Sequence, residues 1–382
     1  MSNIVTLDSF LREISEKTTV NDQYPVLTSS KSGLYLQSDY FNKQVASKDN
    51  TGYKIIQRGQ FTYRAMSDTG EFFPNMLECT DIGIVSPAYP VFEITKPDMI
   101  LPEYLKYFFK SDVFQYSIAS FAQGSTRTSV KFGKLKTVSI NLPSIDEQNT
   151  IVDLLDRAAK LIQLRREETQ ELDDLIKARF VEMFGDPVGN PKRWEKKALS
   201  EEAEIKIGPF GSLLHKEDYI TGGHALVNPS HIIDGKIAPD DKLTISDEKY
   251  DELSAYHLRT GDVVMGRRGE MGRCAVVEQS GLLCGTGSLL IRTNGDLSAD
   301  YIQKIISFPS FKRTIEDMAV GQTMPNLNVP IVSAFQIIKP PKNVQDQYYA
   351  FVAQVDKSKV AVQKALDEAQ VLFDSLMQQY FG

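Results

Sequence analysis

Two stretches of the chain repeat apolar residues every seven positions, and they predict its two longest elements. In the first, Ile151, Ala158 and Leu172 share a seam, and Leu155, Ile162, Ile176 and Met183 form its companion; Arg165, Thr169 and Arg179 interrupt them. In the second, Tyr348, Val355, Val362, Ala369 and Leu376 run beside Val352, Leu366, Phe373 and Tyr380, with Lys359 as the one charge. Each run covers about 36 residues, or about 55 Å of helix. Helices of that length are too long to rest alone on an ordinary domain surface. The seams therefore predict an antiparallel pair in which Ile151, Leu155, Leu172 and Ile176 face Val352, Val355, Leu366 and Phe373. Ser144, three residues before Glu147, has the form of a capping box. Gly185, followed by Pro187 and Pro191, reads as the stop and the linker behind it.

Outside the seams the pattern is shorter. Asp262–Met265, Cys274–Val277 and Ser288–Ile291 read as Gly-bounded strands, Tyr301–Ala319 and Glu103–Phe121 as one helix each, and Val138–Leu142 and Phe335–Ile338 as closing strands. The order is the same in both halves and so is the register. Phe184-Gly185 recurs as Phe381-Gly382, 197 residues later, and the same offset superposes Tyr104 on Tyr301, Phe114 on Phe311, Pro143 on Pro340 and Gln148 on Gln345. An ungapped register of that length marks a duplication. The expected fold is α+β: two pseudo-two-fold-related globular domains, 1–143 and 186–340, separated by an antiparallel pair of long coiled-coil helices, 144–185 and 341–382.

Composition narrows the function classes. The first residues have no cationic and apolar leader, and no 18 consecutive residues are apolar, so a cytoplasmic chain with no membrane contact is expected. Cys79, Cys274 and Cys284 lack disulfide or metal spacing and read as small buried groups. His215, His224, His231 and His257 lack zinc-ligand spacing, so no metal is expected. No phosphate-cradling glycine loop appears. Ser86-Pro-Ala-Tyr89 lacks the second proline of a base-gripping methyltransferase motif, and Glu195-Lys196-Lys197 lacks the acidic partner of a nuclease. A catalytic role is not indicated. The net charge of −7 weighs against nucleic-acid binding unless cations are gathered locally.

They are gathered. Arg267, Arg268 and Arg273 follow a strand within one Gly-rich turn, where guanidinium forks suit phosphates or guanine edges. Asn228, Ser230 and His231 form a second polar loop; Gln322 and Asn326 lie in a third. The first half offers Ser30, Lys31, Tyr63, Arg64, Ser125, Thr126, Arg127 and Lys131. All sixteen are candidate DNA contacts. A non-DNA-binding coiled-coil scaffold is the competing reading, for which heptads and negative charge would suffice.

Leu142-Pro-Ser-Ile-Asp-Glu-Gln148, the helix after it and Arg179-Phe-Val-Glu-Met-Phe-Gly-Asp-Pro187 resemble the central region of the specificity subunits of type I restriction-modification systems. The Gly-Ser-Thr-Arg turn at 124–127, Leu258–Gly269 and Gln57–Tyr63 look like that family's target-recognition domains. The resemblance spans essentially the whole chain. It implies two recognition domains at the ends of the helical pair, each reading half of a bipartite, gapped double-stranded DNA site. It also implies docking to two methylation subunits and, in the full complex, two restriction and translocase subunits. This chain would bind no cofactor itself, and S-adenosylmethionine would belong to the methylation partners. A spacer of about 55 Å against about 34–36 Å per turn of B-DNA suits half-sites about one turn apart. The second helix departs from the family pattern by ending Tyr380-Phe381-Gly382 without Asp-Pro.

Overall fold

The computed structural model describes residues 4–40, 49–121, 128–294, 296–319 and 326–382. Contacts divide it into two compact units, Met1–Thr169 with Val360–Gly382, and Gln170–Lys359. The sequence boundaries at 143, 185 and 340 separate helices from globular parts. The packing does not, because each long helix lends part of its length to each core.

Both seams are helices of 40 residues, Ile145–Phe184 and Lys342–Phe381, or about 60 Å at 1.5 Å per residue. The first opens on a formed capping box: the Ser144 backbone N–H and hydroxyl donate to Glu147 Oε2 at 2.9 and 2.8 Å, and the Glu147 N–H returns to Ser144 Oγ at 3.4 Å. It stops at Gly185, whose φ of +78° is the left-handed conformation that a helix end favours and a side chain resists.

In the first unit, Leu11–Ile14, Val91–Ile94, Phe61–Thr62 and Asn75–Met76 form an antiparallel sheet in that order. In the second, Ala203–Ile207, Ser288–Thr293, Val263–Gly266 and Cys274–Val276 do the same. Each unit also pairs its first strand with its last, Ile4–Thr6 with Ser139–Asn141 and Glu195–Ala198 with Gln336–Lys339. The duplication is thus one of topology. The second unit adds a five-stranded sheet that includes His224–Val227 and Leu282–Cys284.

The single helix expected in each half is two. In the first unit Pro102–Phe108 ends before Ser111, whose hydroxyl accepts from the Phe114 N–H at 3.2 Å and caps Asp112–Ala119. In the second, Ala299–Ser307 ends before Pro309, which cannot donate within a helix and instead starts Pro309–Met318.

Aromatic residues join helix to sheet in both units. Tyr104 donates its hydroxyl to the Asn141 carbonyl at 3.0 Å and sets its ring 5.0 Å from Phe381. Tyr301 donates to Ile338 at 3.1 Å, with its ring 5.2 Å from Phe184. The helix ends are exchanged: the second long helix closes the first unit and the first long helix closes the second. In the first unit Ile151 and Leu155 share a core with Phe381, with Phe373, Leu376 and Tyr380 packed against it. In the second Ile176, Phe180 and Phe184 meet Tyr348 and Val355, with Leu172 and Val352 at the margin. Within each unit, therefore, the start of one helix lies with the end of the other, an antiparallel sense. Leu366 is half-buried beside neither cluster. Among the described residues no helix is long and apolar enough to cross a membrane.

Candidate nucleic-acid interface

In the second unit the strand Val263–Gly266 leaves the sheet directly into Arg267, so its side chains are aimed by the sheet. The Arg267 N–H donates to the Gly287 carbonyl at 3.0 Å, and its own carbonyl accepts from the Leu327 N–H at 2.9 Å. Its guanidinium donates to Asn326 Oδ1 at 3.1 Å, half-buried, and burial and the Arg268 charge both lower its pKa. Arg273 pairs with Glu270 and donates to the Pro229 carbonyl at 3.2 Å. Arg268 is exposed. Three arginines expected to act alike have thus been given three tasks. Arg267 ties two loops together, Arg273 anchors a third, and Arg268 reaches outward.

Asn228 accepts from the Gly287 N–H at 3.2 Å through Oδ1, and Ser230 is exposed beside it. His231 is placed differently from the sequence expectation. It is 6% exposed, with Nδ1 2.7 Å from the Leu226 carbonyl, so its ring stabilises the loop from within. Two features escaped sequence reading. A Cβ at Gly208 would overlap the Gly285 carbonyl, so two loops run backbone against backbone there and only glycine fits. That close packing presents Phe210, 60% exposed, on the neighbouring turn. Gly-Pro-Phe-Gly at 208–211 and Gly-Thr-Gly at 285–287 were the available signals, but glycines mark turns of every kind. On one flank Arg273, Lys304 and Lys312 line a cleft of about 400 Å³ with Glu270 and Asp234.

In the first unit Ser30, Lys31 and Arg64 meet in one cleft of about 310 Å³ with Met66, Asp68 and Glu71. Lys31 Nζ lies 2.9 Å from Glu71 and 5.2 Å from the centre of the Phe73 ring. Asn75, 3% exposed, donates to Ser29 Oγ at 2.9 Å and to the Ser30 carbonyl at 2.8 Å, fixing the loop that carries Lys31. Arg64 and Lys131 are exposed. Tyr63 is not available: its ring is fully buried, its hydroxyl donates to the Val130 carbonyl at 3.0 Å, and burial raises its pKa. An aromatic residue directly after a strand belongs to the core here. Ser125, Thr126, Arg127 and Gln322 lie outside the described residues.

Among the described residues no His, Cys, Asp and Glu cluster could hold a metal ion. Cys274 and Cys284 are buried and Cys79, contrary to expectation, is exposed. His224 and His257 stack on opposite faces of Tyr250 at 3.7 Å each, a polar aromatic sandwich that leaves little ring face free.

Residues 6–174 and 191–369 each match the model of the type I restriction modification DNA specificity domain. The chain is 22% identical over 307 residues to the type I restriction enzyme MjaIX specificity subunit of Methanocaldococcus jannaschii, spanning 74% of this chain and 69% of that one. It is 23% identical over 213 residues to the HindI specificity subunit of Haemophilus influenzae, spanning 54% and 46%. Among solved structures it is similar to a subunit of a type I restriction-modification system described for complex assembly and conformational transition, at 16% identity and a TM-score of 0.63 over 99% of this chain and 97% of that one. It is also similar to the type I restriction-modification S subunit from M. genitalium, at 14% identity and a TM-score of 0.54 over 100% and 96%.

Proposed function

The chain belongs to the type I restriction modification DNA specificity domain family, and from that premise we propose that it reads a bipartite, gapped DNA sequence on behalf of a methylating and restricting complex. One observation carries the reading: a single sheet topology occurs twice, and the loops it projects differ in chemistry. A frame built twice with unlike loops suits two unlike half-sites on one duplex. The acidic total charge is compatible with this, because Arg64, Lys131 and Arg268 are exposed on the loops and partners would add phosphate contacts of their own.

Partner docking falls to the long helices, which carry exposed Leu161, Leu164 and Leu175 off the seam of the first and Val360, Val371 and Leu372 off that of the second. Two methylation subunits and two restriction and translocase subunits are the expected stoichiometry. Methyl transfer and cleavage belong to those partners, as does S-adenosylmethionine, and the complex would work in the cytoplasm. The test is to map methylated positions in DNA from cells carrying the system with and without this chain. A motif of two different halves with an unspecified gap, lost without the chain, is expected. One contiguous motif, or one half repeated, would refute the reading.

A further inference from the structure

The two units can be aligned loop by loop through their backbone pairing, and the alignment exposes a matched position. Ser129 pairs with Met66 across an antiparallel ladder, and Asn326, which is 197 residues after Ser129, bridges Arg268 in the same sense. The next contact agrees. The Val130 N–H donates to the Ala65 carbonyl at 3.0 Å, and the N–H of Leu327, again 197 residues later, donates to the Arg267 carbonyl at 2.9 Å. Met66 and Arg268 therefore stand at one place in the duplicated frame, just past the third strand of each sheet, although their sequence offset differs from that of the repeat.

Both side chains leave the protein there. Met66 is 49% exposed and lines the cleft with Lys31 and Arg64. Arg268 is exposed, while its neighbours Arg267 and Arg273 are engaged by Asn326 and Glu270; among the described residues the ion pairs of this turn leave Arg268 out. An unengaged guanidinium can fork onto the O6 and N7 of guanine, and an exposed thioether is suited to the thymine methyl group.

We propose that Met66 and Arg268 are paired specificity determinants, Met66 packing on a thymine methyl in one half-site and Arg268 reading a guanine at the corresponding place of the other. The inference rests on the bipartite reading above. The two residues sit on backbones paired by main-chain hydrogen bonds with the segment opposite, and exchange of the side chain alone should change the base.

The test uses the complete methylation complex carrying Met66→Arg, Arg268→Met, Arg268→Lys or Arg268→Ala, with the motif mapped from methylated DNA. Met66→Arg should convert one position of one half-site to guanine. Arg268→Met should lose preference for guanine at one position of the other, by about five- to a hundred-fold. Arg268→Lys and Arg268→Ala should relax that same position. An unchanged motif, a change in only one of the pair, or a change in both halves from one substitution would overturn the assignment. Equal loss on every sequence with all three Arg268 variants would mark a phosphate contact and overturn it as well. A bipartite motif from the unaltered complex with silent variants sinks this inference alone, whereas a contiguous motif sinks the bipartite reading and this inference together.

Discussion

Arg273 and Arg268 are five residues apart, and the structure gives them opposite consequences when removed. Arg273→Ala deletes the donor to the Pro229 carbonyl and should cost about 1 kcal/mol of stability, while Arg268→Ala should stay within about 0.5 kcal/mol, as measured by urea unfolding. The cysteines separate similarly. Burial pushes the Cys274 thiol up to about 11 and the Cys284 thiol up to about 12, whereas Cys79 is exposed. Because the thiolate is the reactive form, native protein at pH 8 should yield one fast thiol to a disulfide reagent and two more only on unfolding. Two fast thiols would contradict the burial described. Sequence reading located polar clusters in turns but could not say which member faced out. Tyr63 and His231 have the composition of contact residues, and what assigns them to the interior is a carbonyl found 3.0 Å from one hydroxyl and 2.7 Å from one ring nitrogen.

The long helices were legible because a heptad leaves a trace at every seventh residue, and their caps, Ser144 to Glu147 and Gly185, are local chemistry. The helix breaks were half legible: Pro309 announces one, while Ser111 is an ordinary serine until it is seen capping. At the stop of the first long helix, Asp186 Oδ1 accepts from the Val188 and Gly189 N–H groups at 2.9 and 2.8 Å. Burial raises its pKa, but those two backbone donors, with Ser310 and Arg313, outweigh that and leave it below the usual carboxylate value. A depressed carboxylate adds stability above its unfolded pKa, and that stability is lost as pH falls through the folded one. Asp186→Asn should therefore lower stability near neutrality and flatten the acid limb of the stability-versus-pH curve; an unaltered limb would exclude this cap. Phe381→Ala should cost about 3–5 kcal/mol and Tyr104→Phe about 1 kcal/mol. Hydrogen exchange should place both losses in the first unit, in the strands around Phe61 and Phe92.

Duplication predicts modular half-site reading, with a condition that the sequence did not reveal. A hybrid that takes its first 142 residues from a relative should methylate a site with one new half and one retained half. The replaced segment nevertheless includes Tyr104, Tyr107 and Phe108, whose rings lie 5.0–6.2 Å from Phe381 or Phe373 of the second long helix. A donor with polar residues at those three places should give a hybrid that expresses and fails to methylate; restoring the aromatics should recover it. Loss of both halves in the restored hybrid would refute modular reading. The exchanged helix ends also set an order in time. The second unit is one continuous stretch, Gln170–Lys359, but the first needs Phe381, which leaves the ribosome 197 residues after its counterpart Phe184. At about 5–20 residues per second that is roughly 10–40 s, during which the first domain to be made waits, its aromatic core uncovered, for the last helix to arrive.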